Sequence, residues 1–452
     1  MQRYRGRAGK SGSAPRCPDE QRVVARPIPT LHPSKNARVH SKRQIDLLRR
    51  SIQRFGFVNP ILIDKNGRII AGHGRVKAAA EAGLSSVPTV QIDHLNEEEI
   101  RAYIIADNRL AEKAGWDKDL LAIELQELTE IGFEIESMGF EQAEVDIILE
   151  EATEATGANG PEDAIPQTKR VAISKPGDLW DCGNHRLLCG DARLPATYET
   201  VLKGEKASYV FTDPPYNDAI RNVSGLGKTH HREFAMASGE MNSEQFSNFL
   251  EEIFRQLANH TSDGSLHHIC MDWRHAWEML TAGRTVYWAL KNICVWSKTN
   301  GGMGSFYRSQ HELIFVWQKG PGSHVNNIEL GRHGRSRTNV WTYQGVNTFK
   351  QDREDELRMH PTVKPVALVA DAIKDCTLHG ALVLDSFGGS GTTMIAAEKT
   401  GRKARMIEID PHYVDVAVRR WQAYTGKLAI HAESGRTFEE IEETQARRKA
   451  EG

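Results

Sequence analysis

No apolar run in this sequence approaches the roughly 18 residues that a membrane-spanning helix requires, and the mean hydropathy is -0.50. A soluble, cytoplasmic protein is expected. The first residues, MQRYRGRAGKSGSAPRCPDEQR, also lack the apolar stretch of about 7 to 15 residues that marks a secretory signal, so export is not expected. Cysteine is scarce. Six are scattered at positions 17, 182, 189, 270, 294 and 376 with no CxxC pair, which reads as free thiols in a reducing compartment. Neither sign of charge is in excess, with 58 Lys and Arg against 60 Asp and Glu. A polyanion would therefore have to meet a local basic patch, since charge contacts act over about 8 Å at physiological salt. No HxE with a PCxxC is present, which argues against a zinc deaminase. His230 and His231 are adjacent without other spaced ligands, so no metal site is expected.

The chain has 452 residues, and domains average about 150, so two or three folding units are expected. Residues 1–22 are basic and aperiodic, which fits a disordered tail or an arm that grazes DNA. From Ser41 the pattern becomes ordered. Ser41 with Gln44 forms a capping box, Ile45, Leu48, Ile52 and Phe55 recur at helical spacing, and Gly56 ends the helix. Two short apolar runs, 60–64 and 68–72, flank Asn66-Gly67 and predict a hairpin. A helix through 75–82, a strand over 87–92 and a helix capped by Asn96 and Glu99 follow. Helical patterns continue over 117–131 and 141–150. An acidic stretch rich in Ala, Gly and Pro, at 151–170, then reads as a linker.

The segments FGFVNPILID, IIAGHGRVKAAAEAGLSSVP and ADNRLAEKAGWD resemble the ParB N-terminal-like domain, which implies a small α+β domain, taken with its helical extension as 23–150. The resemblance implies a nucleotide-phosphate box at Gly72, His73, Gly74 and Arg75, where glycines and a helix N-terminus expose N–H groups. His73 and Gly74 stand where the family has Glu and Arg, which weakens nucleotide hydrolysis as an inference. A structural or DNA-docking module is the favoured reading.

In the second half, ASYVFT (207–212) reads as a strand stopped by Asp213, Pro214, Pro215 and Tyr216. Two prolines end it abruptly and leave a rigid loop where open α/β sheets bind ligands. Further on, ALVLD (381–385) leads into Ser386, Phe387, Gly388, Gly389, Ser390, Gly391, Thr392 and Thr393 and then a helix. No Gly-Lys-Ser/Thr follows, so the loop is not a P-loop, and it is not a regular GxGxxG fingerprint either. An acid ahead of the glycines repels pyrophosphate but suits an ammonium group. The next strand, ARMIEI (404–409), ends near Glu408, at a spacing that suits ribose hydroxyls.

Together, DPPY and DxFxGxGT resemble the β-class DNA amino-methyltransferases, with HPTVKP (360–365) as the remaining cofactor motif. The resemblance covers roughly 175–425 and implies a Rossmann-like class I S-adenosylmethionine-dependent sheet, with the methyltransferase domain at 171–430 and a tail at 431–452. It implies catalytic roles for Asp213, Pro214, Pro215 and Tyr216. It implies that Asp385 meets the methionine ammonium, that Phe387, Gly389, Ser390, Gly391 and Thr392 shape the cofactor pocket, and that Glu408 holds the ribose. Asp191 matches the acid at the cofactor's adenine, and Thr362 and Lys364 match the segment at its carboxylate. Asp191 as a turn residue and Lys364 as a surface lysine are the plain alternatives. The stretch 301–359, with Arg308, Arg332, Arg335 and Arg337 among Tyr307, Trp341, Tyr343 and Phe349, sits at the family's target-recognition region. Its alternative reading is Trp341 and Tyr343 as strand core beside a solvated loop. Residues 217–241 are expected to form a lid over base and cofactor.

No cysteine here follows a proline, as the cytosine ring-carbon methylases require. The expected reaction is methyl transfer from S-adenosylmethionine to an exocyclic amine of double-stranded DNA, adenine N6 ahead of cytosine N4. The contrasting reading is a ParB-like DNA-binding protein with an inactive methylase half. No restriction-nuclease motif is evident. A second copy of the chain, as a homodimer, is a further expected partner.

Overall fold

The computed structural model describes residues 22–34, 38–113, 115–156, 162–166, 171–217, 239–298, 307–328, 330, 337–343 and 363–451. The basic tail before residue 22, the core of the expected lid, His230, His231, Arg332, Arg335 and Thr362 lie outside these residues.

The chain divides into two compact units, one of residues 1–117 with 134–141 and one of 118–133 with 142–452. In the first unit, strands β1 (Val23–Pro27), β2 (Ile61–Ile63), β3 (Ile69–Ala71) and β4 (Ser86–Gln91) make a sheet in the order β1-β4-β2-β3. Helix α1 (Lys42–Phe55) starts where Ser41 Oγ accepts the Gln44 N–H at 3.1 Å and stops at Gly56, with φ +79°. Helix α2 (His73–Glu81) follows the hairpin. Helix α3 (Glu97–Lys113) has a reciprocal cap, in which Asn96 Oδ1 takes the Glu99 N–H and Glu99 Oε2 takes the Asn96 N–H, both at 2.9 Å. Strand alternation builds two cores. Ile61, Ile63 and Ile69 pack with Ala79, while Ile70 packs with Ile100 and Ile104 on the other face.

In the second unit, helices α4 (Lys118–Glu130) and α5 (Gln142–Thr156) precede a sheet that is ten-stranded among the described residues. Its strands are β5 (Leu179–Cys182), β6 (His185–Cys189), β7 (Ala207–Thr212), β8 (Thr261–Met271), β9 (Ala289–Ser297), β10 (His311–Gln318), β11 (Val340–Thr342), β12 (Leu382–Asp385), β13 (Lys403–Glu408) and β14 (Ile430–His431). The order is β11-β9-β10-β8-β7-β12-β13-β6-β5-β14. Strands β8, β7, β12, β13 and β6 run parallel, and β10 is inserted antiparallel beside β8. Parallel strands need both faces covered, and the sequence supplies apolar residues on both. Tyr209, Val383 and Met406 face one core; Val210, Leu384 and Ile407 face the other. Helices α6 (Pro195–Leu202), α7 (Ser243–Asn259) and α8 (Ala276–Val286) cover the second core. Helices α9 (Val366–Cys376), α10 (Thr392–Lys399) and α11 (Pro411–Thr425) cover the first. This is the expected doubly wound α/β sheet.

Two boundaries fall elsewhere than the sequence suggests. Helices α4 and α5, assigned to the first domain over 118–150, group with the second unit. The reason lies in Asp146 of α5, whose carboxylate meets buried Arg402 at 2.8 Å and His379 at 2.9 Å. The expected tail, 431–452, instead holds β14 and helix α12 (Phe438–Glu451). Fully buried Phe438 packs on Trp180 with ring centroids 5.1 Å apart.

Candidate active site

Going along the sheet, β7 connects through α7 to β8 on one side, while β12 connects through α10 to β13 on the other. The crevice between the carboxyl ends of β7 and β12 is therefore the topological switch point, where ligands enter open α/β sheets. The two sequence motifs meet there. Thr212, the last residue of β7, donates its hydroxyl to Asp385 Oδ1 at 2.8 Å and accepts the Ser386 N–H at 3.2 Å. One hydroxyl thus ties the strand before Asp213 to the loop after Asp385.

Three neighbouring parallel strands, β12, β13 and β6, present Asp385, Glu408 and Asp191 at or just past their carboxyl ends. Asp385 accepts the Phe387 N–H at 3.0 Å and the Thr393 hydroxyl at 2.6 Å. Burial pushes its carboxyl up to about 6 against these donors. Glu408 accepts the Gly389 N–H at 2.8 Å and the Asp410 N–H at 2.9 Å, and burial raises it to about 7. Neither acid has a Lys or Arg partner among the described residues. Each carboxylate keeps lone-pair capacity, since two oxygens offer about four acceptor sites. Such a pair of buried, cation-free acids fits a ligand that brings an ammonium and hydroxyls. Asp191 is committed to its own turn, where Arg193 donates its backbone N–H at 2.9 Å and its guanidinium at 2.6 Å. The glycine loop lies close against α11. Gly391 has φ +85°, and a Cβ there would stand 2.9 Å from the Ala417 Cβ, so no other residue fits without strain.

Beyond β7, Tyr216 donates its hydroxyl to Asp213 Oδ1 at 2.6 Å. The other Asp213 oxygen receives Lys364 Nζ at 2.5 Å, and Lys364 also meets Glu312 Oε2 at 3.0 Å. Lys298 closes the cluster by donating to the remaining Glu312 oxygen. Glu312 sits on β10, is 5% exposed, and no sequence motif marks it. A lone carboxylate opening an otherwise apolar strand, HELIFVWQ, was the available signal. Burial would push Glu312 up, but Lys364 and Lys298 outweigh it and hold the carboxyl down at about 2. Burial lifts Asp213 above the usual carboxylate range despite Lys364, and the Glu312 charge adds to the lift. Two carboxylates sharing an ammonium titrate as a set. Lys364, expected at a cofactor carboxylate or on the surface, is instead buried against Asp213, at 4% exposure.

Asn217, with φ +54°, accepts the N–H groups of Gly239 and Met241 at 3.2 Å and donates to the Met241 carbonyl at 2.7 Å. It thereby joins the two described ends of the expected lid segment, 217–241.

In the recognition stretch, Arg337 does not stand open to a groove. Its guanidinium meets Asp375 at 2.6 Å and Asp371 at 3.2 Å and lies over the Trp341 ring at 4.8 Å. Trp341 is buried in the core and Tyr343 packs against it, as the strand-core reading expects, but Arg337 is not the solvated arginine which that reading also expects. In the first unit, the turn at Gly72 has its side chains engaged, with His73 Nε2 2.9 Å from Ser34 Oγ and Arg75 donating to the Asn59 carbonyl at 3.0 Å.

Comparison with known proteins finds three matched segments. Residues 207–419 match a DNA methylase family, 119–176 a ParB-methyltransferase HTH domain and 14–108 the ParB N-terminal domain. The ParB-like nuclease domain-containing protein YnaK of Escherichia coli K12 is 45% identical over 82 residues, 18% of this chain and 94% of that protein. The type II methyltransferase M.HpaI of Haemophilus parainfluenzae is 26% identical over 257 residues, 52% of this chain and 74% of that enzyme. Among solved structures, the M1.HpyAVI–SAM complex is similar at 18% identity with a TM-score of 0.38, over 52% of this chain and 97% of that one.

Proposed function

Because this chain belongs to the ParB-like proteins in its N-terminal part and carries a DNA methylase domain of the N6/N4 family in its C-terminal part, we propose that it methylates an exocyclic amine of double-stranded DNA, adenine N6, from S-adenosylmethionine. The observation that carries this reading is the Thr212 bridge, which sets Asp213 and Asp385 side by side at the switch point.

The cofactor supplies an electrophilic methyl group on a sulfonium. Asp385 would take its ammonium, Glu408 its ribose hydroxyls, and the loop from Phe387 through Thr392 its methionine portion. The base amine has its lone pair delocalised into the ring, so it is a poor nucleophile until its hydrogens are held by acceptors. Asp213 and the Pro214 carbonyl would accept those hydrogens and turn the lone pair toward the methyl, which is positioning with electrostatic stabilisation. Pro215 stiffens the loop that aims them. Tyr216 offers its ring to a base extruded from the stack, a contact worth about 1 to 3 kcal/mol. For this, Asp213 must be ionised and Tyr216 must give up its bond to Asp213.

The test is incubation of the purified protein with methyl-labelled S-adenosylmethionine and unmethylated duplex DNA, followed by digestion to nucleosides. Label in N6-methyladenine is the expected result. Label in N4-methylcytosine keeps the chemistry and changes the base. No label, from protein that binds the cofactor, overturns the reading.

A further inference from the structure

The acidic stretch before the sheet reaches the glycine loop through a single side chain. Arg420, on α11, is 2% exposed, and its Nη1 donates to the Ser390 carbonyl at 3.2 Å, Ser390 Oγ at 3.2 Å and Thr392 Oγ1 at 3.0 Å. Its Nη2 donates to the Glu162 carbonyl at 2.9 Å. No carboxylate lies in hydrogen-bond contact with this guanidinium among the described residues. The Asp163 and Glu162 charges favour its ionised form without bonding to it, yet burial outweighs them, and burying a cation whose hydrogen-bond acceptors are all neutral costs free energy that an apolar side chain of similar volume would avoid. The return is geometric, because a planar guanidinium fixes several acceptors at once.

The neighbouring contacts point the same way. Glu162 Oε2 meets Lys399 of α10 at 2.7 Å, and Asp163 Oδ1 accepts the Val366 N–H at 3.0 Å. Val366 opens α9 two residues after Lys364, so Asp163 holds the helix that delivers Lys364 to Asp213. Ala417, one turn before Arg420, is the residue against which Gly391 is pressed. Residues 162 and 163 therefore reach the loop that holds Ser390 and Thr392 through Arg420, and bond directly to the helix behind Lys364.

We propose that Arg420 is a positioning residue for the cofactor loop, and that Glu162 and Asp163 form part of the frame of the cofactor site. The proposal rests on the reading of that loop as the S-adenosylmethionine site. Without the guanidinium, the loop's Ser390 and Thr392 lose their common anchor, and the backbone around Gly389 and Gly391 is free to leave the conformation that leaves Asp385 and Glu408 ready for ligand. Cofactor affinity then falls, while the Asp213 cluster, held by other contacts, is left in place.

The experiment uses the full chain as wild type, Arg420→Met, Arg420→Lys and Asp163→Ala. S-adenosylmethionine binding is measured by calorimetry, amide hydrogen exchange is followed over 386–393, and kcat is measured at saturating cofactor. Arg420→Met is expected to weaken binding by about tenfold or more, the scale of lost bonds to a charged donor, with faster exchange in the loop and kcat within about twofold. Arg420→Lys recovers part of the affinity, and Asp163→Ala loses less than Arg420→Met. Unchanged affinity and exchange in folded Arg420→Met overturns the proposal. Should Arg420→Met fail to fold, Asp163→Ala with wild-type affinity overturns the frame in its place. A wild-type protein that binds no S-adenosylmethionine overturns the functional reading instead.

Discussion

Asp213 stands within a four-membered charge cluster, and its position there sets what each substitution does. Asp213→Asn keeps the size and one acceptor but removes the charge. It is expected to lower kcat by about a hundredfold or more, with cofactor affinity, measured by calorimetry, unchanged. Glu312→Gln acts more subtly. The Glu312 charge raises Asp213, so its removal leaves Lys364 to Asp213 alone and lowers the Asp213 pKa. Because Asp213 must be ionised to accept the amine hydrogens, the acidic limb of kcat, measured at saturating substrates, shifts to lower pH. A limb that stays in place or moves upward contradicts this. None of this cluster beyond Asp213, Tyr216 and Lys364 was legible in the sequence. Glu312 and Lys298 come from positions far along the chain; the antiparallel insertion of β10 beside β8 brings in Glu312, and the pairing of β9 with β10 brings in Lys298. Lys364 was legible as a motif residue, but its partner was not, since spacing cannot say which charge a buried lysine meets.

At the scale of elements, the carboxyl ends of β12 and β13 carry two acids that titrate near neutrality. Asp385 at about 6 and Glu408 at about 7 are both raised. A raised carboxyl contributes stability below its unfolded value, and that contribution is lost as pH rises through the folded value. The protein without ligand should therefore show its melting temperature falling between about pH 4 and pH 7 from these two groups. An ammonium against Asp385 favours the ionised form, so cofactor binding should tighten over the same range and release protons. Calorimetry in two buffers of different ionisation enthalpy reads that release; proton uptake would contradict it. The strands and the glycine loop were legible because each is a short apolar run ended by Pro-Pro or by glycines. The helix caps at Ser41 and Asn96 were legible for the same local reason. The Arg337 contacts were not, because an arginine between aromatics looks alike whether it faces a groove or Asp371 and Asp375.

For the chain as a whole, the division into units follows buried charge rather than linker composition. Asp146 is held well below the usual carboxylate range; burial opposes ionisation, and the Arg402 and His379 contacts outweigh it. Its contribution is complete above the ordinary carboxylate value of about 3.9 and is lost only in acid. Asp146→Ala should leave Arg402 buried without its carboxylate and cost about 3 kcal/mol, read as a lower urea midpoint of the second unit. An unchanged midpoint would mean that α5 is not part of that unit's cooperative fold. The assignment of α5 to the first domain missed this because a helical pattern does not reveal that Asp146 has Arg402 as its partner 256 positions away.

The central claim, amine methylation of DNA at the Asp213 site, is tested most directly in methylation-free cells expressing either the intact chain or Asp213→Ala. Their DNA is sequenced by a method that detects N6-methyladenine and N4-methylcytosine. N6-methyladenine in a defined sequence context is expected with the intact chain and none with Asp213→Ala. Methylation that persists in Asp213→Ala, or its absence with intact, cofactor-binding protein, would contradict it.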